Sequence, residues 1–538
     1  MSKFLIIGLD GATWDVIRPL INQGELKTIA KLVKEGASGN LNSVIPPITG
    51  AAWVSIATGK DAGKKGIYDF LIGQDYDYKL RPVNSKDFFR DTIWNYLAKF
   101  NIPSVIQNYP MYFPPIAPEG CNIISGLGSS VDENLTNPLS LKEELDKVTG
   151  GYEITVSYMD TRYDNKDVFL TDLMRVAKKR LEAALYLIKN KPWELFFVVF
   201  SETDWLQHVM WQDWSSIDSI HHREFIMFWR EIDKHIERLI DACDGNTNIL
   251  LISDHGFGPQ TCCFNLSGWL EQGGYLVRKK GATQIVPKFI NWAEQKIAFS
   301  DLARQIRQLP ILKNVSKTII TFLPNNEAKS IDFIKSQAFN LGHTIVFGGI
   351  YLNSQFQGEI KKVPQKEKEN LIVDIKNNLE QTCRQAGHDI DFYEPRIIYD
   401  EAIGIAPDII FSIDDWACVI SNKSSKDPLF IETQYTSRHS GTHRMNGILL
   451  AWGPDIISTQ IKDAGLCDIV PTVIANFRLP IPSELDGQVL PIFRQEVLRS
   501  VKVVSSIPKV ESHVGGLTSP SEEEERRIEE RLRDLGYL

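Results

Sequence analysis

The feature that most restricts this chain is a set of short, almost unbroken apolar runs separated by long amphipathic stretches. Phe4–Leu9, Leu195–Phe200, Asn248–Ile252, Ile409–Ile413 and Ile448–Ala451 do not alternate polar with apolar residues. A strand that is apolar throughout has to be covered on both faces. Between the runs, Asp167–Lys189 and Arg223–Ala242 have helical spacing. In the second, Phe225, Phe228, Trp229, Ile232, Ile236 and Leu239 recur on one side. The alternation predicts an α/β fold, a mostly parallel central sheet with helices on both faces.

A length of 538 residues accommodates one large α/β unit with an insertion. We expect residues 1–275 and 347–500 to form that unit. Residues 276–346 break the alternation with basic amphipathic segments, Phe289–Phe299, Leu302–Leu309 and Val315–Phe322, and predict a helical insertion or cap. Lys366–Gln385 predicts a further helix, and residues 501–538 a charged tail helix with few apolar anchors.

The formal net charge of -9 argues against broad nucleic-acid binding, which calls for a basic excess. It leaves room for a small anionic substrate, because local cations reverse the field of a cleft. No apolar stretch approaches the length of a membrane span. The N-terminal apolar run leads directly into a Gly-Leu-Asp-Gly turn rather than a cleavage site, so it reads as a core strand. Seven cysteines form no regular framework and no Cys-x-x-Cys pair. They read as reduced thiols of a cytoplasmic protein, and argue against both a disulfide scaffold and a thiolate zinc site.

Chemistry-bearing residues gather where these runs end. In open α/β sheets, ligands bind at the carboxyl ends of strands. Asp10 follows the first run. Thr49 opens the helical stretch after Pro46-Pro47-Ile48, where backbone N–H groups can bind an anion. Asp204 and His208 follow Leu195–Phe200 and, four apart, share a helix face. Asp254 and His255 follow Asn248–Ile252, and His443 precedes Ile448–Ala451, with His439 as its competitor. Each segment alone has a plain reading as a helix cap, a surface pair or a polar turn. Together, three aspartates and three histidines make a ligand set suited to zinc, manganese or iron. Six ligands divide into two sites of three, and two ions about 4 Å apart clamp an in-line displacement at phosphorus.

The order Asp10, Thr49, Asp204 with His208, Asp254-His255 and His443 resembles the alkaline phosphatase superfamily, and most nearly its type I phosphodiesterase/nucleotide pyrophosphatase branch. Thr49-Gly50-Ala51-Ala52-Trp53-Val54-Ser55-Ile56-Ala57-Thr58-Gly59 is similar to that family's nucleophile helix. Thr203–His208 and Ser253–Pro259 are similar to its metal motifs, and Asp468–Thr472 with Leu485-Asp486-Gly487 to the closing elements. The resemblance implies two divalent ions, Zn2+ or alternatively Mn2+. Asp10, Thr49, Asp254 and His255 would surround one, and Asp204, His208 and His443 the other. It implies a phosphohydrolase cleaving a phosphodiester or pyrophosphate of a small phosphorylated substrate through a covalent phosphothreonine at Thr49. The alternatives are a phosphomutase or phosphomonoesterase, and a non-catalytic phospholigand-binding protein, which would have no need of the nucleophile. Lys65 stands where a histidine is common, and sulfatases need Cys or Ser at the Thr49 position. Arg444 is the candidate substrate-binding cation.

Overall fold

The computed structural model of the chain describes residues 2–74, 79–129, 134–156, 161–279, 331–333, 335–341, 346–353, 364–423, 425–432, 439–505 and 520–534. Its elements, in chain order, begin with β1 (Lys3–Leu9), β2 (Ala37–Asn42), α1 (Thr49–Thr58), β3 (Ser104–Tyr109), β4 (Cys121–Ser125), β5 (Thr136–Asn137), α2 (Lys166–Asn190), β6 (Leu195–Phe200), α3 (Glu202–Ser215), α4 (His222–Asp241) and β7 (Thr247–Ile252). They continue with β8 (Gly256–Pro259), β9 (Cys262–Asn265), β10 (Ala338–Phe339), β11 (Gly348–Leu352), α5 (Gln365–Ala386), β12 (Ile390–Tyr393), β13 (Ile409–Ile413), β14 (Cys418–Ser421) and β15 (Phe430–Glu432). The last are β16 (Gly441–Arg444), β17 (Asn446–Trp452), β18 (Thr459–Gly465), α6 (Ile469–Asn476) and α7 (Glu522–Asp534).

Nine strands form the main sheet in the order β18-β2-β17-β7-β1-β6-β3-β4-β5. The central strands β7, β1, β6 and β3 are mutually parallel, and β17 enters antiparallel between β7 and β2. The expected α/β architecture is therefore present. The apolar runs lie at its centre because every residue of β6 and β7 is buried, and only a strand flanked on both sides and covered on both faces can bury such a sequence. On α4, Phe225, Phe228, Trp229, Ile232, Ile236 and Leu239 are buried as the spacing predicts. The same helix carries Asp233, whose carboxylate accepts the backbone N–H groups of Thr28 (2.9 Å) and Ile29 (2.8 Å). It thereby caps the helix Lys27–Glu35, which has no side-chain cap of its own, a contribution of about 1 kcal/mol.

A second, smaller core joins β9, β14 and β15 to the antiparallel sheet β10-β11-β13-β12 and to Ile375, Leu379 and Cys383 of α5. Residues of β11, β12, β13 and β14 contribute to this core, and β13 also reaches the main core through Ile410. The expected helices Phe289–Phe299, Leu302–Leu309 and Val315–Phe322 lie outside the described residues. In the tail, α7 buries Ile528 and Leu532 fully against the main core, and Arg531 donates to the carbonyl of Ser129. Its two apolar residues thus anchor an otherwise charged helix.

One expectation is corrected here. Cys262 and Cys418 are joined by a disulfide, where reduced thiols were expected. The cause is topological: β9 and β14 pair in parallel with these residues in register, 4.5 Å apart at Cα, although 156 residues separate them in sequence. Sequence spacing carries no trace of that pairing.

Candidate functional site

Asp10, at the end of β1, continues the parallel ladder for one more bond, its N–H donating to Phe200 (3.1 Å). Its carboxylate is buried and accepts the Trp53 indole N–H at 3.3 Å. Thr49 is the first residue of α1, a helix buried along its entire length, so its hydroxyl is held in the interior beside backbone N–H groups that have no intrahelical acceptor. The Thr49 Oγ1 lies 3.2 Å from His255 Nε2.

Asp204 and His208 share a face of α3, one turn apart, with 3.5 Å between carboxylate and Nε2. The head of α3 is anchored by a fully buried ion pair between Glu202 and Arg180 of α2. Removing one partner of such a pair strands a charge, at a cost of about 3–5 kcal/mol. Asp254 and His255 follow β7. The Gly11 N–H donates to Asp254 Oδ1 at 3.1 Å. Gly11 has a φ of +66°, and a Cβ there would meet Phe257 at 2.9 Å and Asp204 at 3.2 Å. Only glycine lets the Asp10 turn pass this close to the other carboxylates. His443 arrives on β16, paired antiparallel with β8, and its Nε2 lies 3.4 Å from Asp204 and 3.1 Å from His208 Nε2.

All seven expected residues are buried and converge. Asp204, His208 and His443 surround one point. Thr49, Asp10 and Asp254 surround another, with His255 Nε2 at 3.2 Å, 3.6 Å and 3.3 Å from them. The two groups abut, the rings of His255 and His443 being stacked with centroids 3.6 Å apart. Each imidazole has its Nδ1 committed to a backbone carbonyl: His208 to Gly441 (3.1 Å), His255 to Gly256 (3.0 Å) and His443 to Pro47 (2.9 Å). The Nε2 lone pairs consequently face inward, as outer-shell contacts set them in metal sites.

Electrostatics point the same way. Burial, with Asp254 and Asp204 adding repulsion, pushes the Asp10 carboxyl well above the ordinary range. Burial lifts Asp254 to about 7 and drops His208 to about 4, and drives His255 far below its usual value. Asp10 Oδ1 and Asp254 Oδ2 have no hydrogen-bond donor among the described residues. Carboxylate oxygens without donors, facing inward lone pairs, form a donor set that fits divalent cations of the zinc or manganese type.

The His439 ring lies 5.1 Å from that of His208, as does the His443 ring. Arg444, the candidate substrate-binding cation, follows His443 on β16. Neighbouring side chains of a strand point to opposite faces, so with His443 turned inward the Arg444 guanidinium lies on the other side. It donates to the carbonyls of His443 (2.8 Å), Trp416 (3.1 Å), Thr442 (3.4 Å) and Pro259 (2.6 Å). Sequence reasoning missed Gly11 and the carbonyls of Pro47 and Gly441, which carry no side-chain signal. It also missed Trp53 as a partner of Asp10, although its place one turn into α1 was a usable clue.

Fold and site define a protein of the alkaline phosphatase superfamily. The sequence model of the type I phosphodiesterase/nucleotide pyrophosphatase family matches residues 4–447, and the chain belongs to that family, as a hydrolase of phosphoric ester or anhydride bonds. Among solved structures, human ectonucleotide pyrophosphatase/phosphodiesterase 5 is similar over 91% of this chain and 100% of its own, at 14% identity and a TM-score of 0.50. The murine counterpart, an inactive variant in complex with AMP, covers 89% and 96% at 13% identity and a TM-score of 0.49. No curated protein sequence matches the chain. Among the described residues, no helix is long and apolar enough to cross a membrane.

Proposed function

We propose that this chain is a divalent-metal-dependent hydrolase that cleaves a phosphodiester or pyrophosphate bond through a phosphothreonine at Thr49. The observation that carries the reading is the Thr49 hydroxyl at the head of a buried helix, 3.2 Å from His255 Nε2 and beside both carboxylate–imidazole groups. Asp10, Asp254, His255 and Thr49 would hold one cation, and Asp204, His208 and His443 the other, Zn2+ or alternatively Mn2+. Such ions supply Lewis-acid stabilisation of negative charge on oxygen.

The chain's own residues do the rest. Thr49 Oγ forms the bond to phosphorus as the bond to the leaving oxygen breaks. Water then attacks the same phosphorus and releases Thr49 with the phosphate product. The first-turn N–H groups of α1 stabilise charge on the non-bridging oxygens. Trp53 fixes Asp10, and Gly11 fixes Asp254, before substrate arrives. The remainder of the substrate would lie in a cleft lined by Lys65, Tyr68, Asp69, Leu80, Tyr351 and Ile405, which none of the seven site residues lines. Asp69 connects it to the nucleophile helix, because its carbonyl would sit 3.1 Å from a Cβ on Gly50.

A diester fits better than a monoester. A monoester dianion brings one more charge and needs a further cation. Lys60 and Lys65 are paired with Asp91 at 3.1 Å and 2.6 Å, Lys64 with Asp486, and Arg444 with carbonyls. Each is thus engaged in the free protein, although Lys65 shares Asp91 with Lys60 and lines the same cleft.

The test is kcat/KM of wild type, Thr49→Ala and Thr49→Ser on a diester and a monoester sharing one leaving group. We expect Thr49→Ala to lose about ten-thousandfold, roughly 5 kcal/mol at 1.36 kcal/mol per tenfold, and Thr49→Ser to retain partial activity. We expect the diester to be preferred. Near-wild-type turnover by Thr49→Ala would refute the covalent route, and a tenfold monoester preference would refute the diester reading.

A further inference from the structure

The disulfide of the smaller core does not stand alone. Cys262 Sγ lies 4.0 Å from His388 Nδ1, and the same nitrogen lies 2.7 Å from Asp414 Oδ2. Cys262, His388 and Asp414 thus offer three ligand atoms within 4.8 Å of one another, and the disulfide bond adds Cys418 Sγ to them. Two sulfurs, an imidazole nitrogen and a carboxylate oxygen are a zinc-type tetrahedral set. With bonds of roughly 2.3 Å to sulfur and 2.0 Å to nitrogen and oxygen, the edges of such a tetrahedron run from roughly 3.3 to 3.8 Å. The observed 4.0 Å and 2.7 Å bracket that range, and once the disulfide opens the two sulfurs must part from bonding contact to roughly 3.8 Å by rotation of a cysteine side chain.

The surroundings hold these groups in place at some expense. Asp414, Asp415 and Trp416 have φ of 51°, 50° and 69°, three successive non-glycine residues in the left-handed region, each strained by about 1–2 kcal/mol. This turn brings Asp414 back to His388, and it is locked by Asp414 N–H donating to the Asp389 carbonyl and Asp389 N–H donating to Asp414 Oδ1, both at 2.9 Å. His388 sits just past the end of α5, its N–H bonded to the Cys383 carbonyl at 3.0 Å and its ring stacked on Phe430. The sulfurs are buried, whereas His388 and Asp414 remain partly exposed, which leaves a path from solvent. The arrangement is not a thiol–imidazole–carboxylate catalytic relay, since that requires opposite ring nitrogens and here Nδ1 faces both neighbours.

We propose that Cys262, Cys418, His388 and Asp414 form a second, thiolate-containing metal site that binds one zinc-type divalent cation when the disulfide is open. Opening takes two electrons and two protons from a dithiol, which closes to its own disulfide. On cation binding the two thiols release their protons to solvent, and the imidazole proton moves from Nδ1 to Nε2. In a reducing compartment the cation replaces the covalent link between β9 and β14; in an oxidising one the disulfide holds them.

Cobalt(II) is the probe, because thiolate ligands give it a near-ultraviolet charge-transfer band that the Asp and His ligands of the main site cannot produce. Metal-stripped full-length protein is titrated with cobalt(II) in two states, oxidised and fully reduced, the latter shown by thiol titration to have all seven cysteines free. The band should appear only in reduced protein, reach the amplitude of one thiolate-ligated cobalt among up to three bound per chain, and vanish on adding zinc. Reduced Cys418→Ser should lose it, and His388→Ala should bind cobalt at least tenfold more weakly. Absence of the band in reduced wild type, its presence in oxidised protein, or its survival in Cys418→Ser would each overturn the assignment.

Discussion

The cluster at the carboxyl edge of the main sheet and the cluster in the smaller core use overlapping ligand types, and they differ in how their ligands are held. At the sheet edge every Asp and His is buried, each imidazole is oriented by a backbone carbonyl, and the elements bearing them are the ends of parallel core strands, the helix packed beside them and, for His443, the antiparallel pair β8–β16. In the smaller core the sulfurs are buried while the imidazole and carboxylate lie near solvent on a helix end and a strained turn. The first arrangement suits a reaction that tolerates little reorganisation. The second suits a state that changes with its surroundings. Both meet at β8, which runs from His255 toward Cys262, and at Trp416, whose carbonyl holds the Arg444 that follows His443.

Removing one imidazole from each cluster breaks the comparison most sharply. His443→Ala should lower kcat/KM by about a thousandfold or more, beyond the 10–100-fold typical of groups that only orient a ligand. His388→Ala should leave turnover within about twofold. Equal losses in the two variants would mean that the clusters are one functional unit.

Metal removal should have the next largest effect. Chelation should abolish turnover and lower the melting temperature by several degrees. An ion held at a thousandfold its Kd contributes about 4 kcal/mol, and its loss leaves buried carboxylates facing one another. A metal-free protein with unchanged melting temperature and full turnover would contradict the ligand assignment.

A smaller effect separates protonation at the sheet edge from that in the smaller core. Burial lifts Asp254 to about 7 and, with repulsion from Asp254 and Asp204, raises Asp10 well above the ordinary range, so the Asp10–Asp254 pair carries more protons at pH 6 than at pH 8. Cation loading in oxidised protein, where Cys262 and Cys418 cannot bind, should release more protons at pH 6 than at pH 8. Calorimetry in buffers of different ionisation enthalpy reads this difference, and equal release at both pH values would refute the carboxylate pairing.

The two clusters also differ in how far the sequence reveals them. Asp10, Asp204 with His208, and Asp254-His255 were legible because each follows an apolar run, and strand ends in a parallel sheet share one edge. Thr49 was legible from the helix it opens. Arg444 follows His443 in sequence, but strand pleating turns the two side chains to opposite sides, so adjacency in sequence is not adjacency in space. Cys262 and Cys418 were illegible because the pairing of β9 with β14 is set by tertiary packing across 156 residues. His388 and Asp414 follow a helix end and a turn whose meeting depends on the same packing. The absence of a Cys-x-x-Cys pair therefore argued only against a local thiolate site, not against one assembled from distant strands.

The central claim is that Thr49 is phosphorylated during turnover, and the stereochemistry at phosphorus tests it most directly. Hydrolysis of a chiral phosphorothioate diester in isotopically labelled water reports how many in-line displacements occur. Attack by Thr49 followed by attack by water makes two inversions, so the account predicts net retention of configuration. Net inversion would show a single displacement by water and would contradict it.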